Sequence, residues 1–336
     1  MKVLFVGAKE VDQLLPMAEC IGVMEKTLRQ MARGGATFPP RSVMPLPGGI
    51  GVLGLMPGNI GAEELMGLKA VSVFPSNEGT PYESHQGAVL VFETQHGSLR
   101  GVVDAGSITR IRTAAVSGVA TDILARKDVR ELAILGSGTQ AISHLEAMLE
   151  VRPSLEKVRV HSRNPANAKA FAARESSDRK LDVQAVNEAK DAVKGADIIC
   201  TTTASRTPVL LGSWMDPGIH VNAIGASRQP SRELDTEAIV RSRFYVDSRQ
   251  SAYLESSDFL VPKSEGAIQE SHLIGEIGEV LERKVEGRLK PEDITVFKSL
   301  GLAIEDLAAA QSVCAKASST GAGTWIDFGS ERRLPT

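Results

Sequence analysis

Cysteine is nearly missing from this chain. Its 336 residues include three, Cys20, Cys200 and Cys314, far apart and without Cys-x-x-Cys spacing. That argues against a disulfide framework and a structural zinc site. Cys200 lies in the apolar run Ala196-Asp197-Ile198-Ile199-Cys200 and reads as a small core residue, which fits a reducing, cytoplasmic setting. Long apolar runs are lacking too. The segment before Gly7 is too short for a signal-peptide core, and no stretch approaches the length of a membrane span, so no membrane partner is expected. Neither sign of charge dominates: 38 Lys and Arg stand against 41 Asp and Glu, for a net charge of −3. No basic stripe marks a nucleic-acid partner, and Arg126-Lys127 and Glu331-Arg332-Arg333 read as solvated surface. There is no Gly-x-Ser-x-Gly, no His-Glu-x-x-His and no Cys/His cluster, so hydrolase and metalloenzyme readings have no footing and no metal is expected. Internal repeats and low-complexity segments are also absent.

What remains is an ordinary globular composition, 42% hydrophobic and 24% charged, over a length that suits two domains. In the first ~110 residues, Val3–Val6 reads as a strand and Val11–Met31 has helical spacing. Short segments follow at Ser42–Pro45, Gly51–Met56, Leu65–Val73 and Gly87–Glu93, between Gly, Pro and Asn clusters, which favours an antiparallel sheet with the last segment central. From Thr113 the pattern becomes helices alternating with apolar strands: Ala114–Leu124, Glu131–Leu135, Gln140–Val151, Val158–His161, Pro165–Arg174, Asp197–Thr201, His220–Ile224 and Phe244–Val246. The expected fold is α/β: a Rossmann doubly wound parallel sheet over 114–303, plus an N-terminal α+β domain over 1–113 completed by a C-terminal helix, 304–336.

The strongest local signal follows the strand Leu132-Ala133-Ile134-Leu135: Gly136-Ser137-Gly138-Thr139-Gln140-Ala141 is Gly-x-Gly-x-x-Ala, directly before a helix. Gly136 permits the tight turn, Gly138 lets the backbone approach a pyrophosphate, and Ala141 keeps the helix close to the strand. The next strand ends in Ser162-Arg163-Asn164-Pro165. NAD sites place an acid there for the ribose 2′-hydroxyl. Here Arg163 instead supplies a guanidinium fork for a 2′-phosphate, which predicts NADP(H) over NAD(H).

Three cations stand near small residues in the first domain: Arg41 after Pro39-Pro40, Lys69 inside the apolar run Leu68-Lys69-Ala70-Val71, and Arg112 in Arg110-Ile111-Arg112-Thr113. No acid neighbours them in sequence. Arg112 reads as preceding a helix N-terminus, a place suited to anions. The three could share a substrate carboxylate, or each could be an ordinary salt-bridge residue.

Arg112-Thr113-Ala114-Ala115, the glycine turn, Val221-Asn222-Ala223-Ile224-Gly225-Ala226-Ser227, and Val296-Phe297-Lys298-Ser299-Leu300-Gly301 with Glu305-Asp306 form an ordered series. In it the chain resembles the ornithine cyclodeaminase/mu-crystallin family over nearly its whole length. Ser84-His85-Gln86, Gly225-Ala226-Ser227-Arg228, Arg232-Glu233-Leu234-Asp235 and Tyr245-Val246-Asp247-Ser248 lean towards its ketimine-reductase branch. The resemblance implies a homodimer through the N-terminal domain. It implies a substrate carboxylate on Arg41, Lys69 and Arg112, with Glu255 near the substrate. Ser84 and His85 would lie near the nicotinamide, Ser299 and Leu300 near its carboxamide. Ser162, Arg163 and Asn164 would select the cofactor, while Arg112, Thr113, Gly136 to Gln140, Thr203, Ala204 and Ile224 would line it. Cyclodeaminases carry an Asp at the position of Ser227 and a Lys at that of Ser231, so a distal amine has no charged anchor here. The expected activity is NADP(H)-dependent reduction of a cyclic or open 2-imino acid, with Lys69, Arg112 and Ser227 at the reacting centre. An alanine-type amino-acid dehydrogenase, an ornithine cyclodeaminase and a non-catalytic binding protein stand as alternatives.

Overall fold

A computed structural model describes residues 2–77 and 80–329. The chain divides into two units. One holds the residues up to Arg112 together with those from Leu302 onward; the other is Thr113–Gly301.

The first unit is built on a sheet with the spatial order Thr324–Asp327, Lys2–Val6, Leu99–Asp104, His85–Glu93, Leu65–Val73, Val52–Ile60 and Ala36–Thr37, with Ser42–Pro45 also on Val52–Ile60. His85–Glu93 is central, as its apolar run predicts. Every pairing is antiparallel except that of Lys2–Val6 with Leu99–Asp104, which is parallel. That exception departs from the expected antiparallel sheet. Helices, not a hairpin turn, follow the first strand, so nothing local dictates its direction. The helix expected over Val11–Met31 is two, Ala8–Leu14 and Met17–Ala32, because Pro16 has no N–H to continue the first.

A long, mostly buried helix, Ala303–Thr320, packs on this sheet. Glycines let it come close: a Cβ at Gly67 would lie 2.7 Å from Leu307 Cδ2, and one at Gly101 would lie 2.5 Å from Cys314 Sγ. The helix ends at Thr320, well short of 336, with Gly321 in the left-handed conformation at φ 74°. The chain then turns into Thr324–Asp327, an edge strand on Lys2–Val6. Residues 330–336, with the charged run Glu331-Arg332-Arg333, lie outside the described residues.

The second unit holds a parallel sheet of eight strands in the order Asp182–Ala185, Lys157–His161, Glu131–Leu135, Ile198–Thr201, His220–Ala223, Thr295–Lys298, Arg243–Val246 and Leu273–Glu276. Its central strands are buried on both faces, which accounts for their unbroken apolar runs. The core gathers Leu135, Ile199, Val221, Phe244, Phe259 and Val296, among others.

One helix starts earlier than its sequence pattern suggests. It spans Ala105–Leu124, not Ala114–Leu124. Gly106 and Ser107 look like turn residues, but Asp104 Oδ1 accepts the Ser107 N–H at 2.7 Å and caps the first turn. Arg112 therefore sits mid-helix and not before an N-terminus, and its attraction for anions must come from its own charge. Among the described residues no helix is long and apolar enough to cross a membrane.

Candidate active site

The first unit gathers buried charge at one place. Lys69 lies midway along Leu65–Val73, and its side chain is 4% exposed. Its Nζ is 2.6 Å from Asp306 Oδ2 and donates to Thr109 Oγ1 at 3.3 Å. Arg112, also buried, donates through Nε to Asp306 Oδ1 and through Nη1 to Glu305 Oε2, both at 2.8 Å. Both acids belong to the first turn of Ala303–Thr320, where a helix favours negative charge. The absence of acidic neighbours along the sequence was therefore misleading, since Asp306 is 194 residues from Arg112. A sequence signal did exist: two acids opening a helix whose first half is otherwise apolar must face a partner if that half is buried.

These contacts set the proton affinities. Burial lowers the Lys69 pKa to about 8; Asp306 opposes the fall, while Arg112 and Arg41 add to it. Burial also works against the Asp306 carboxylate, but Arg112 and Lys69 outweigh it and hold its pKa below the usual value. A site that presses a lysine to shed its proton gains from an added anion for the same electrostatic reason. Arg41 is half-buried at the start of Ser42–Pro45. Ser84 Oγ and His85 Nδ1 lie 3.0 Å apart, with His85 exposed at the head of the central strand.

The second unit holds the dinucleotide features. Gly136 has φ 115°, and a Cβ there would lie 2.6 Å from Thr202 Oγ1, so only glycine makes this turn. Gly138 caps the helix Thr139–Val151 without any side-chain hydrogen bond, and a Cβ on it would meet nothing within 4 Å. The turn therefore faces open space with the helix amides directed at it, the form of a phosphate site. Gln140 Oε1, in this turn, is buried without a hydrogen-bond partner among the described residues, and so is Thr113 Oγ1 on the helix Ala105–Leu124. Buried polar atoms are rarely left unmatched, so these residues fit a bound nucleotide. At the next strand end Ser137 Oγ donates to Ser162 Oγ at 2.9 Å, Arg163 is exposed, and Asn164 caps the following helix by accepting the Ala166 N–H.

The remaining expected residues lie in the same unit. Thr203 and exposed Ala204 follow Ile198–Thr201; buried Ile224 and half-buried Ser227 follow His220–Ala223. Ser299 and Leu300, both 2% exposed, follow Thr295–Lys298. Leu300 and Gly301 donate their N–H groups to Asp247 Oδ2 at 2.5 and 2.7 Å. Half-buried Glu255 ends the helix Arg249–Glu255. Sequence reasoning gave no role to Glu233, Asp258, Lys298 or Asp247, all of them fully buried. A charge inside an apolar strand, as in Val296-Phe297-Lys298, was the available clue. Among the described residues no group of His, Cys, Asp and Glu could hold a metal ion.

This geometry has counterparts in known proteins. The ketimine reductase mu-crystallin of Mus musculus is 40% identical over 313 residues, covering 92% of this chain and 96% of that protein. The structure of Thermococcus litoralis Delta(1)-pyrroline-2-carboxylate reductase, in complex with NADH and L-proline, superposes with a TM-score of 0.93 at 35% identity, covering 96% of this chain and 99% of that one. An archaeal alanine dehydrogenase dimer with bound NAD gives a TM-score of 0.92 at 32% identity, covering 98% and 100%. The family model for ornithine cyclodeaminase/mu-crystallin matches residues 1–321, and the chain belongs to that family.

Proposed function

We propose that this protein is an oxidoreductase that uses a pyridine nucleotide to reduce the C=N bond of a cyclic or open 2-imino acid, such as a pyrroline- or piperideine-2-carboxylate. The observation that carries this reading is the buried Lys69–Asp306–Arg112–Glu305 group, with a lysine poised at about 8. A chain that already holds a nucleotide turn has use for such a group in orienting an anionic substrate and moving a proton. Relatives named for imine reduction support it.

A dihydronicotinamide, when bound, would supply the hydride. The substrate carboxylate is assigned to Arg41, Lys69 and Arg112, whose orientation Glu305 and Asp306 maintain. Protonated Lys69, directly or through water, delivers the proton to nitrogen as carbon receives the hydride, so one C=N bond becomes CH–NH. Ser227 is assigned to the ring nitrogen, to which a hydroxyl hydrogen-bonds in either charge state, and Glu255 to the substrate's surroundings. NADP(H) is preferred to NAD(H) in this reading because Arg163 stands exposed where an NAD site would carry an acid.

The reading includes a homodimer formed through the first unit. Val43, Met44 and Leu55 are large, apolar and exposed on two paired strands, Ser42–Pro45 and Val52–Ile60, and a patch of that kind is usually covered. Sedimentation at micromolar concentration should give twice the mass of the chain. The three cysteines are free and buried, which suits the cytoplasm.

A second reading, reductive amination of a 2-oxo acid by free ammonia, draws on the likeness to the archaeal alanine dehydrogenase. One assay separates the two. NADPH oxidation is followed against cyclic 2-imino acids and against pyruvate with ammonia, and proline formation is followed from ornithine with NADP⁺ in catalytic amount. The proposal expects the cyclic imines to be turned over fastest by kcat/KM. Faster turnover of pyruvate with ammonia, or proline formed from ornithine at a comparable rate, would overturn it.

A further inference from the structure

Three neighbouring strands of the parallel sheet, Ile198–Thr201, His220–Ala223 and Thr295–Lys298, end beside one another. The loops that leave them carry Thr203, Gly225 to Ser227, and Ser299 with Leu300. A single buried carboxylate joins the first two loops. Glu233 Oε1 accepts from Thr203 N at 2.7 Å and Thr203 Oγ1 at 2.8 Å. Its Oε2 accepts from Thr201 Oγ1 at 2.9 Å, Gly225 N at 2.7 Å and Ala226 N at 3.2 Å. The backbone N–H groups among these donors cannot reverse their roles, so the site asks for an acceptor at both oxygens. The two loops touch: a Cβ on Gly225 would lie 1.9 Å from Thr203 O and 2.6 Å from Glu233 Oε1.

Glu233 is in turn held from behind. Its own N–H and that of Leu234 donate to Asp258 Oδ1, each at 3.0 Å. Asp258 Oδ2 lies 3.0 Å from Lys298 Nζ, and both side chains are fully buried. Lys298 is the last residue of the strand that delivers Ser299 and Leu300. Buried ion pairs of this sort are weak contributors to stability, and well-packed apolar residues often do as well. Their use here is geometric, for they give three loops one fixed arrangement.

We propose that Glu233 is a positioning residue for the nicotinamide half of the cofactor site, clamping the Thr203 loop to the Gly225–Ser227 loop, and that Lys298 and Asp258 hold it in place. The adenosine half, assigned to Gly136 to Gln140 and Ser162 to Asn164, lies on other strand ends. The Gly136 turn packs against Thr202, but the Glu233 carboxylate accepts from Thr201, Thr203, Gly225 and Ala226 and from no residue of that half, so its affinity should respond less to loss of the clamp. The proposal rests on the reading of the second unit as nicotinamide-binding.

Glu233→Gln keeps the shape but turns an N–H₂ towards backbone N–H groups. Dissociation constants for NADPH and for 2′-phospho-ADP-ribose, which lacks the nicotinamide, are measured on the full-length protein by titration. The wild type should bind NADPH more tightly than the fragment; if it binds neither, the functional reading fails and this inference falls with it. In Glu233→Gln, fragment affinity should stay within about twofold of wild type while NADPH affinity falls at least ~10-fold. Thr201→Val removes one donor and leaves the carboxylate, so it should show the same split at about threefold, and it gives the test should the first variant fail to fold. NADPH affinity unchanged in the variants that fold, or weakened only in step with the fragment, overturns the proposal.

Discussion

The two units each bury a cluster of opposite charges, and the clusters are built the opposite way round. In the first, Glu305 and Asp306 serve the cations: they come from the head of one helix and aim Lys69 and Arg112. In the second, the cation serves the acids: Lys298 backs Asp258, which holds Glu233 against backbone amides. In the proposed reading one cluster offers positive groups to a ligand, while the other turns its negative groups to the protein's own loops. A buried charge is thus read by what its partners leave it to do. Lys69 is left with a depressed proton affinity, while Glu233 is left with a full set of donors.

Breaking the first cluster should have the largest effect. Arg112→Ala removes the cation that is bonded to both buried acids, Glu305 and Asp306, so unfolding stability should drop by about 3–5 kcal/mol in denaturant titrations. Turnover should fall with it, by more than ~100-fold in kcat/KM. Unchanged stability would mean that the acids do not depend on Arg112.

Lys69→Ala should also lower kcat/KM more than ~100-fold, with the loss concentrated in the chemical step. The pH profile sharpens this. Because the protonated amine is the donor, imine reduction by the wild type should decline as pH rises through about 8, and oxidation of the amino acid should rise over the same range. Stability carries its own sign. A lysine whose folded pKa lies below its unfolded value binds fewer protons when folded, so the cost of burying its charge is fully present below about 8 and is relieved between there and the unfolded value of 10.5. A profile without a limb near 8 would leave Lys69 as a binding group only.

In the second unit, Arg163→Ala should narrow the NADPH-over-NADH preference roughly tenfold, the size of a lost charge-assisted contact of about 1.5–3 kcal/mol. A wild type indifferent to the 2′-phosphate would refute the reading of that strand end. The smallest effect is expected from Ser227→Asp: a severalfold loss of imine reduction, with at most weak diamine binding, because Ser231 and its surroundings are unchanged. Rapid proline formation from ornithine by this variant would show that one carboxylate suffices to change the chemistry.

Much of the second unit was legible because its signals are local. Gly136, Gly138 and the strand before them lie within a few residues of one another, and doubly buried strands are apolar throughout. The charge clusters were hidden because their members meet only after folding, as Asp306 and Arg112 do across 194 residues. Local rules also misled where a side chain overruled them. Asp104 turns the loop-like Ala105-Gly106-Ser107 into the first turn of a helix, and Pro16 breaks a stretch whose apolar spacing is unbroken.

The first unit is assembled from both sides of the second in the sequence. During synthesis, Thr113–Gly301 therefore has all its residues before the first unit has its own. Every strand of the first unit's sheet except Thr324–Asp327 emerges before Thr113–Gly301, yet its covering helix, Ala303–Thr320, emerges after it. Until then Lys69 and Arg112 lack the carboxylates that neutralise them, and the glycine-lined face that the helix will cover stands open. The order of translation thus makes the segment after Leu302 the lock of the first unit: a ribosome stalled before it would hold Thr113–Gly301 with its full sequence, and a sheet without the helix that covers it.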